Sequence, residues 1–352
     1  MSQAVRDPDS VASASAGDED RGQSEPGALG RLLALGRVER LGAVYVLIGI
    51  IILFSVWKPD IFPSWTTAKS VLNQNAIPAL AALSLVVPLC TGVFDLSIGN
   101  VMALVSVTIA WLVVQLGVPI GVAIVIAIAM SMAVGVLNAV IVVVIGIDSF
   151  IATLGTGAVL LAIDYLISND ETVTNGHLST AFGSIAQSSV GGVQVPVFAV
   201  LVVAVLLWWL LEHTVTGRRL YATGFNEEAS RLAGVRTKRL RFLGLIVSAT
   251  VAGIAGLLLT SQIGSGSPDI GPAYLLDAFA AAFLGATQIR AGRFNAPGTI
   301  IAVLVLGTGT AGLTIVGAQA WALSLYTGVV LLLALALTRI ERKQVRAGRT
   351  LT

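Results

Sequence analysis

Ten long apolar runs divide the chain, at about 41–57, 76–94, 97–117, 118–145, 149–168, 196–212, 242–263, 274–289, 297–318 and 321–338. A hydrocarbon core of about 30 Å takes about 20 apolar residues of helix at 1.5 Å per residue, so each run is a candidate span. Without water to satisfy backbone N–H and C=O groups, such segments must bond internally, which makes them helices. Spans of that length would take roughly 200 residues of the 352 and leave no room for a second soluble domain of ordinary size. Only 11% of the residues are charged, against about 25% in an average soluble chain, which excludes the water-soluble classes. The expected fold is all-α: a polytopic integral membrane protein of about ten transmembrane helices. An even count keeps both termini on one side.

The sorting of charge sets the orientation, because Lys- and Arg-rich loops stay in the cytoplasm. With the N-terminus inside, 19 of the 21 basic residues fall on the inner face, leaving Lys58 and Lys69 outside. The inner group includes Arg31, Arg37 and Arg40, the 213–241 loop, Arg290 and Arg293, and a basic 339–352 tail. The outer loop 169–195 holds Asp170, Glu171 and His177 and no Lys or Arg. Residues 1–40 begin with a stretch rich in Asp, Ser, Ala and Gly, expected to be a disordered cytoplasmic tail, and no signal-peptide pattern precedes the first span. A formal charge of +2 argues against a nucleic-acid partner.

Several chemistries are poorly supplied. None of the four lysines follows a glycine, so the phosphate-cradling G-x-x-x-x-G-K-[ST] pattern is absent and the chain is not expected to bind or hydrolyse ATP itself. The two histidines, His177 and His213, fall in loops on opposite sides, which disfavours nucleophilic hydrolysis, and with the single Cys90 they make a poor zinc set. No catalytic, cofactor or metal residues are assigned. Ion-coupled transport would use ionisable groups within the membrane. The candidates are Asp95, Asp164 and Asp277, with no base in any span to pair with them. Asp95 and Asp277 also lie near span ends, where helix N-termini satisfy carboxylates.

The 213–241 loop carries a short segment with helix signals at both ends. Asn226 is an N-cap, Glu227 and Glu228 sit in the first turn, and Gly234 suits a left-handed C-cap, with Phe225, Ala229, Leu232 and Ala233 as apolar contacts. Two turns are marginal in water without something to pack on. The segment is either a helix that docks on a cytoplasmic partner or a solvated loop whose basic residues set topology.

The stretch Tyr221-Ala-Thr-Gly-Phe-Asn-Glu-Glu-Ala-Ser-Arg-Leu-Ala-Gly-Val-Arg236 resembles the cytoplasmic coupling segment of permeases in ribose/xylose-type ABC sugar importers. Phe94-Asp95-Leu96-Ser97-Ile98-Gly99, Ser149-Phe150-Ile151-Ala152-Thr153-Leu154-Gly155-Thr156, and Ser265-Gly266-Ser267-Pro268 followed by Leu276-Asp277-Ala278 resemble three further family segments in the same order. The resemblance covers about 41–338, a transmembrane permease domain. It implies the membrane subunit of an importer in the bacterial plasma membrane. Its partners would be a cytoplasmic ATPase subunit that uses the ATP, an extracytoplasmic sugar-binding protein and a second permease chain. The solute implied is a monosaccharide or related polyol. Alternatives are a sugar-like signal molecule or a nucleoside, and, from another class, ion-coupled secondary transport.

On this resemblance the ATPase-coupling residues are Gly224, Asn226, Glu227, Glu228, Ala229, Arg231, Leu232, Gly234 and Arg236. A neutral sugar calls for polar groups without strong charge along its path. Asp95, Ser97, Asn100, Asn138, Thr153, Thr156, Asp164 and the neighbouring Tyr165 are the candidates, with Phe150 as an apolar constriction. Each polar residue has an alternative role as an interhelical hydrogen bond, and Phe150 as a packed core side chain. Small-residue pairs at Gly135/Ala139, Ala249/Gly253 and Ala252/Gly256 suggest helix packing, the dimer seam included.

Overall fold

The computed structural model describes residues 42–347 apart from 177, 290 and 291, with side chains through 334 except at 179 and 181. The expected 1–40 tail, His177, Arg290 and the side chains of the basic 339–352 tail lie outside the described residues.

Each of the ten apolar runs contains a helix, and most of the described chain is helical. The helices in those runs are α1 (Gly42–Trp57), α3 (Ala76–Cys90), α4 (Ile98–Val114), α5 (Ile120–Ala139), α6 (Ser149–Ser168), α8 (Val195–His213), α11 (Thr237–Ile263), α12 (Tyr274–Ala286), α13 (Ala296–Ile315) and α14 (Ala320–Ala347). Between them lie α2 (Trp65–Gln74), α7 (Gly183–Gln187), α9 (Val215–Phe225) and α10 (Glu227–Leu232). Among the described residues, five helices are long and apolar enough to cross a membrane: α5 with its π-helical extension through Ile145, α6, α8, α11 and α13. The α2–α3 pair, bent by 45°, makes a sixth, while α1, α4, α12 and the Ala320–Ala334 part of α14 are shorter apolar helices.

α12 begins where its apolar run begins, at Tyr274, and ends three residues short of the run's end, at Ala286. The Gly-rich stretch between α11 and α12 is not helical: after β4 (Ser265–Gly266) pairs with β1 (Val173–Thr174), the chain runs back along α4. Gly266 lies against Ser106 and Ala110, and Gly271 against Gly99 and Ala103, where a Cβ would strike the Gly99 carbonyl oxygen. Irregular backbone is tolerated in a membrane protein only where protein covers it or water reaches it. On the side of the 169–195 loop, the hairpin of β2 (Ser189–Val190) and β3 (Val193–Gln194) is pinned to α2: Asn73 donates to the Gly192 carbonyl at 3.0 Å and accepts from the Gln194 N–H at 2.9 Å.

The centre of the molecule is α3, in which every residue but Pro78 is buried, flanked by α11, α12 and α13. In α6 the polar residues Ser149, Thr153, Thr156 and Asp164 share the buried face with Ala152, Gly157 and Leu160. Ile151, Leu154, Val159, Ile163 and Leu166 cover the opposite, exposed face. Polar inside and apolar outside is the distribution expected of a chain solvated by lipid.

The small-residue pairs are spent within this chain rather than left open for a seam. A Cβ at Gly135 would press on Ile246 and Ala249 of α11, one at Gly253 would overlap Ser131 of α5, and one at Gly256 would overlap the Met102 backbone of α4. The three helices are therefore close enough that only hydrogen fits. Gly256→Val is expected to lower stability by about 1–3 kcal/mol or more through overpacking, read as a fall in thermal midpoint in detergent. Gly121→Ala, with nothing within 4 Å of the new carbon, is the matched control and stays within about 0.5 kcal/mol.

Candidate functional site

The first polar constellation grows out of the break between α3 and α4. Residues 91–97 are not helical, so their N–H groups need acceptors from elsewhere. Ser149 and Thr153, four apart on one face of α6, provide them: the Phe94 N–H donates to Ser149 Oγ at 3.1 Å and the Leu96 N–H to Thr153 Oγ1 at 2.9 Å. Asp95 turns inward and its Oδ1 accepts from the Ser97 N–H at 3.1 Å and the Ser97 hydroxyl at 2.6 Å. Ser97 Oγ in turn accepts from Asn138 Nδ2 at 2.8 Å, which ties α5 to the start of α4. Asp95 thus takes an N–H at a helix start, as one of its two expected roles required.

Asp95, Ser97, Asn138, Thr153 and Asp164 are fully buried and Thr156 nearly so, while Asn100 is half-buried. Thr156 donates to the Ala152 carbonyl of its own helix at 2.9 Å. Asn100 lies beside Gly157, whose missing side chain leaves room for the amide. Among the described residues, Asn100 Oδ1, Asn138 Oδ1 and both Asp164 carboxylate oxygens are buried without a hydrogen-bond partner. Phe150 is half exposed, so it is not a packed core phenylalanine. Tyr165 points away from this seam and donates to Asp269 at 2.5 Å, joining α6 to the stretch before α12. Asp277 sits in the first turn of α12 beside Thr327 of α14. Ser149 was not among the candidate site residues, although its spacing from Thr153 was visible in the sequence.

The second constellation is the 213–241 loop. It holds the expected short helix, α10, and ahead of it a second, α9, from which extended Asn226 (φ −155°) separates it. Asn226 Oδ1 accepts from the Ala229 N–H at 2.9 Å, Gly234 takes a φ of +82°, and the six residues of α10 lie between them. Gly224 belongs to α9, where a Cβ would run into the Cys90 carbonyl oxygen at the end of α3. Tyr221 donates to the Phe294 carbonyl at 2.8 Å, and the Arg293 guanidinium lies 5.5 Å from the Tyr221 ring centroid.

The charges of α10 have partners within the chain. Glu227 receives Arg241 Nη1 at 3.1 and 3.0 Å, bracing α10 to α11, and Glu228 pairs with Arg231 at 3.3 Å in a largely exposed bridge. Glu228, Arg231, Arg236, Lys238 and Arg239 surround a cleft of about 690 Å³. Leu232 is 81% exposed and Phe225 52% exposed, so apolar side chains stand out of a strongly charged surface. No group of three or more His, Cys, Asp or Glu side chains arranged to hold a metal ion occurs among the described residues.

A family model described as "branched-chain amino acid transport system / permease component" matches residues 67–335. The chain is 33% identical over 304 residues to the ribose import permease protein of Bacillus subtilis (strain 168), covering 86% of this chain and 94% of that protein. It is 28% identical over 305 residues to the D-allose transport system permease protein of Escherichia coli (strain K12), covering 87% and 93% of the two chains. The L-arabinose transport system permease protein of the same organism is 28% identical over 324 residues, covering 92% and 98%. No solved structure matches.

The Asp95–Ser97–Asn138 relay makes a direct prediction. Ser97→Ala removes one hydroxyl that serves both neighbours, leaving the buried Asn138 amide without this acceptor and Asp95 Oδ1 with the backbone N–H alone, a cost of about 1–3 kcal/mol. The thermal midpoint in detergent should fall clearly further than for Ser324→Ala, an exposed position expected to stay within about 0.5 kcal/mol.

Proposed function

This chain belongs to the branched-chain amino acid transport system permease component family, and from that premise we propose that it is the membrane subunit of an ABC importer for a monosaccharide. The observation that carries the proposal is the near full-length match to permeases named for ribose, D-allose and L-arabinose. A pentose, hexose or related polyol is the solute class. The chain works in the bacterial plasma membrane with ten spans and both termini in the cytoplasm. The confinement of 19 of 21 basic residues to one set of loops supports that topology, as does the presence of a helix in each apolar run.

The transport cycle uses three partners: a cytoplasmic ATPase subunit, an extracytoplasmic binding protein and a second permease chain. ATP is bound and hydrolysed by the partner, in keeping with the missing phosphate loop in this sequence. The ATPase docks on the coupling residues Gly224, Asn226, Glu227, Glu228, Ala229, Arg231, Leu232, Gly234 and Arg236. Exposed Leu232 and Phe225 supply apolar contact, and the cleft of Arg231, Arg236 and Arg239 receives acidic groups. Asn226 and the Glu227–Arg241 bridge keep α10 rigid enough to transmit a push to α11.

Asp95, Ser97, Asn100, Asn138, Thr153, Thr156 and Asp164 line the sugar path when α6 parts from α4, with Phe150 at its edge. Their burial in this closed arrangement and the unpartnered oxygens of Asn100, Asn138 and Asp164 support this, because those oxygens are acceptors and a sugar is a ring of hydroxyl donors. A few dispersed acceptors hold such a solute without trapping it.

Reconstitution of the chain with its ATPase and binding protein in proteoliposomes, followed by uptake of labelled ribose, allose and arabinose, is the decisive measurement. ATP-dependent accumulation of at least one sugar is expected; a complex that carries none of them but accumulates another solute class would sink the proposal. Glu228→Ala with Arg231→Ala should lower uptake per ATP hydrolysed by about tenfold or more, while equal coupling would remove α10 from the mechanism. Asp164→Ala is expected to cut uptake by about tenfold, the worth of a hydrogen bond to a charged group, with unchanged binding-protein affinity.

A further inference from the structure

A cluster of phenylalanines lies where the 91–97 break, α12 and the 287–295 loop meet. Phe279 and Phe283 stand one turn apart on α12 with ring centroids 6.2 Å apart and planes 22° from parallel. Phe94 stacks on both at 6.4 Å, at 25° and 29°. Phe283 meets Phe294 edge to face at 5.4 Å and 71°. Offset stacks and edge contacts of this kind are the favoured aromatic arrangements.

The cluster is anchored on one side and open on the other. Phe294 is buried, whereas Phe94 is 36% exposed. The Phe94 backbone is fixed by its bond to Ser149 and by the locked Asp95 beside it, so the ring is held out from a rigid mount. On the same face of α12, one turn before Phe279, Leu276 is exposed, whereas Asp277 turns toward Thr327 of α14. The exposed face of α12 therefore runs from Leu276 to the aromatic stack.

From the anchored side, a continuous set of contacts reaches the cytoplasmic loop. The Phe294 carbonyl accepts from the Tyr221 hydroxyl at 2.8 Å and from Cys90 Sγ at 3.5 Å, and Gly224 presses on the Cys90 carbonyl. Neighbours Phe294 and Arg293 both engage the Tyr221 side chain. Movement of α9 must either break the Tyr221 bond or carry Phe294, and with it the edge of the stack.

We propose that Phe94, Phe279 and Phe283 form the cytoplasmic-side gate of the solute path, with Tyr221 and Phe294 as positioning residues that tie the gate to the ATPase-docking loop. This rests on the importer function proposed above. A dry aromatic constriction excludes a hydrated sugar. Pairwise stacks rather than deep burial hold the gate shut, so a displacement of Phe294 suffices to loosen it.

The test reads gate opening directly. In the reconstituted complex, Leu276→Cys is labelled by a membrane-impermeant thiol reagent from the side bearing the 213–241 loop, with the chain lacking that change as the blank for Cys90. Without ATP, labelling should be slow, and Phe94→Ala should accelerate it about tenfold, the effect of losing two stacks. Phe94→Leu, which keeps apolar bulk, should restore slow labelling. During ATP turnover labelling should accelerate, and Tyr221→Phe, which keeps the ring but loses the bond to Phe294, should blunt that acceleration. Equal labelling in wild type and Phe94→Ala, or full ATP-driven acceleration in Tyr221→Phe, overturns the gate. Sugar uptake by the same wild-type vesicles is scored separately: import with unchanged labelling refutes the gate alone, and absence of import with accelerated labelling refutes the sugar assignment alone.

Discussion

Every backbone N–H that leaves a helix inside an apolar molecule must find an acceptor in the protein, and the break between α3 and α4 shows how this chain meets that demand. The Phe94 and Leu96 N–H groups go to Ser149 and Thr153, and Asp95 turns back onto Ser97. Left unsatisfied, each such group would cost several kcal/mol in hydrocarbon. Four elements are thereby fixed at one point: α6 through its two hydroxyls, α5 through Asn138, α4 through its first turn, and α3 through the chain itself.

Around that point polar and aromatic groups separate. Toward α5 and α6 lie the buried acceptors Asn100, Asn138 and Asp164, and toward α12 lies the phenylalanine stack. The cytoplasmic loop reaches the same region through Gly224 against Cys90 and Tyr221 against Phe294. A displacement of α9 would therefore bear on the break directly, with no flexible side chain between Gly224 and the Cys90 carbonyl to absorb it.

Much of the architecture was legible beforehand because lipid imposes a simple rule on sequence. Each apolar run contains a helix, and the caps at Asn226 and Gly234 have the expected geometry. The departures come where neighbours decide. The expected docking helix is preceded by a second, α9, which ends at the extended backbone of Asn226. The α12 run lost helix at its end, where the Asn295 amide donates to the Gly285 and Gln288 carbonyls, whereas the small-residue pairs pack α4, α5 and α11 together as their spacing suggested. The phenylalanines at 94, 279, 283 and 294 gave no signal, since nothing in their spacing links four rings that meet only across three segments.

By itself the sequence determined where helices form and which loops hold the charge, because the period and length of apolar runs and the placement of Lys and Arg are local properties. It also exposed the segments that resemble sugar permeases, since short motifs survive without knowledge of contacts. Only the tertiary structure decided which polar residues are satisfied and which are left with open acceptors, because a hydrogen bond between Asn138 and Ser97 joins residues 41 positions apart. The same holds for the path from Tyr221 to Phe94: side-chain contact depends on how helices cross, and the energy that fixes a crossing is summed over the whole packed interface rather than written at any one position.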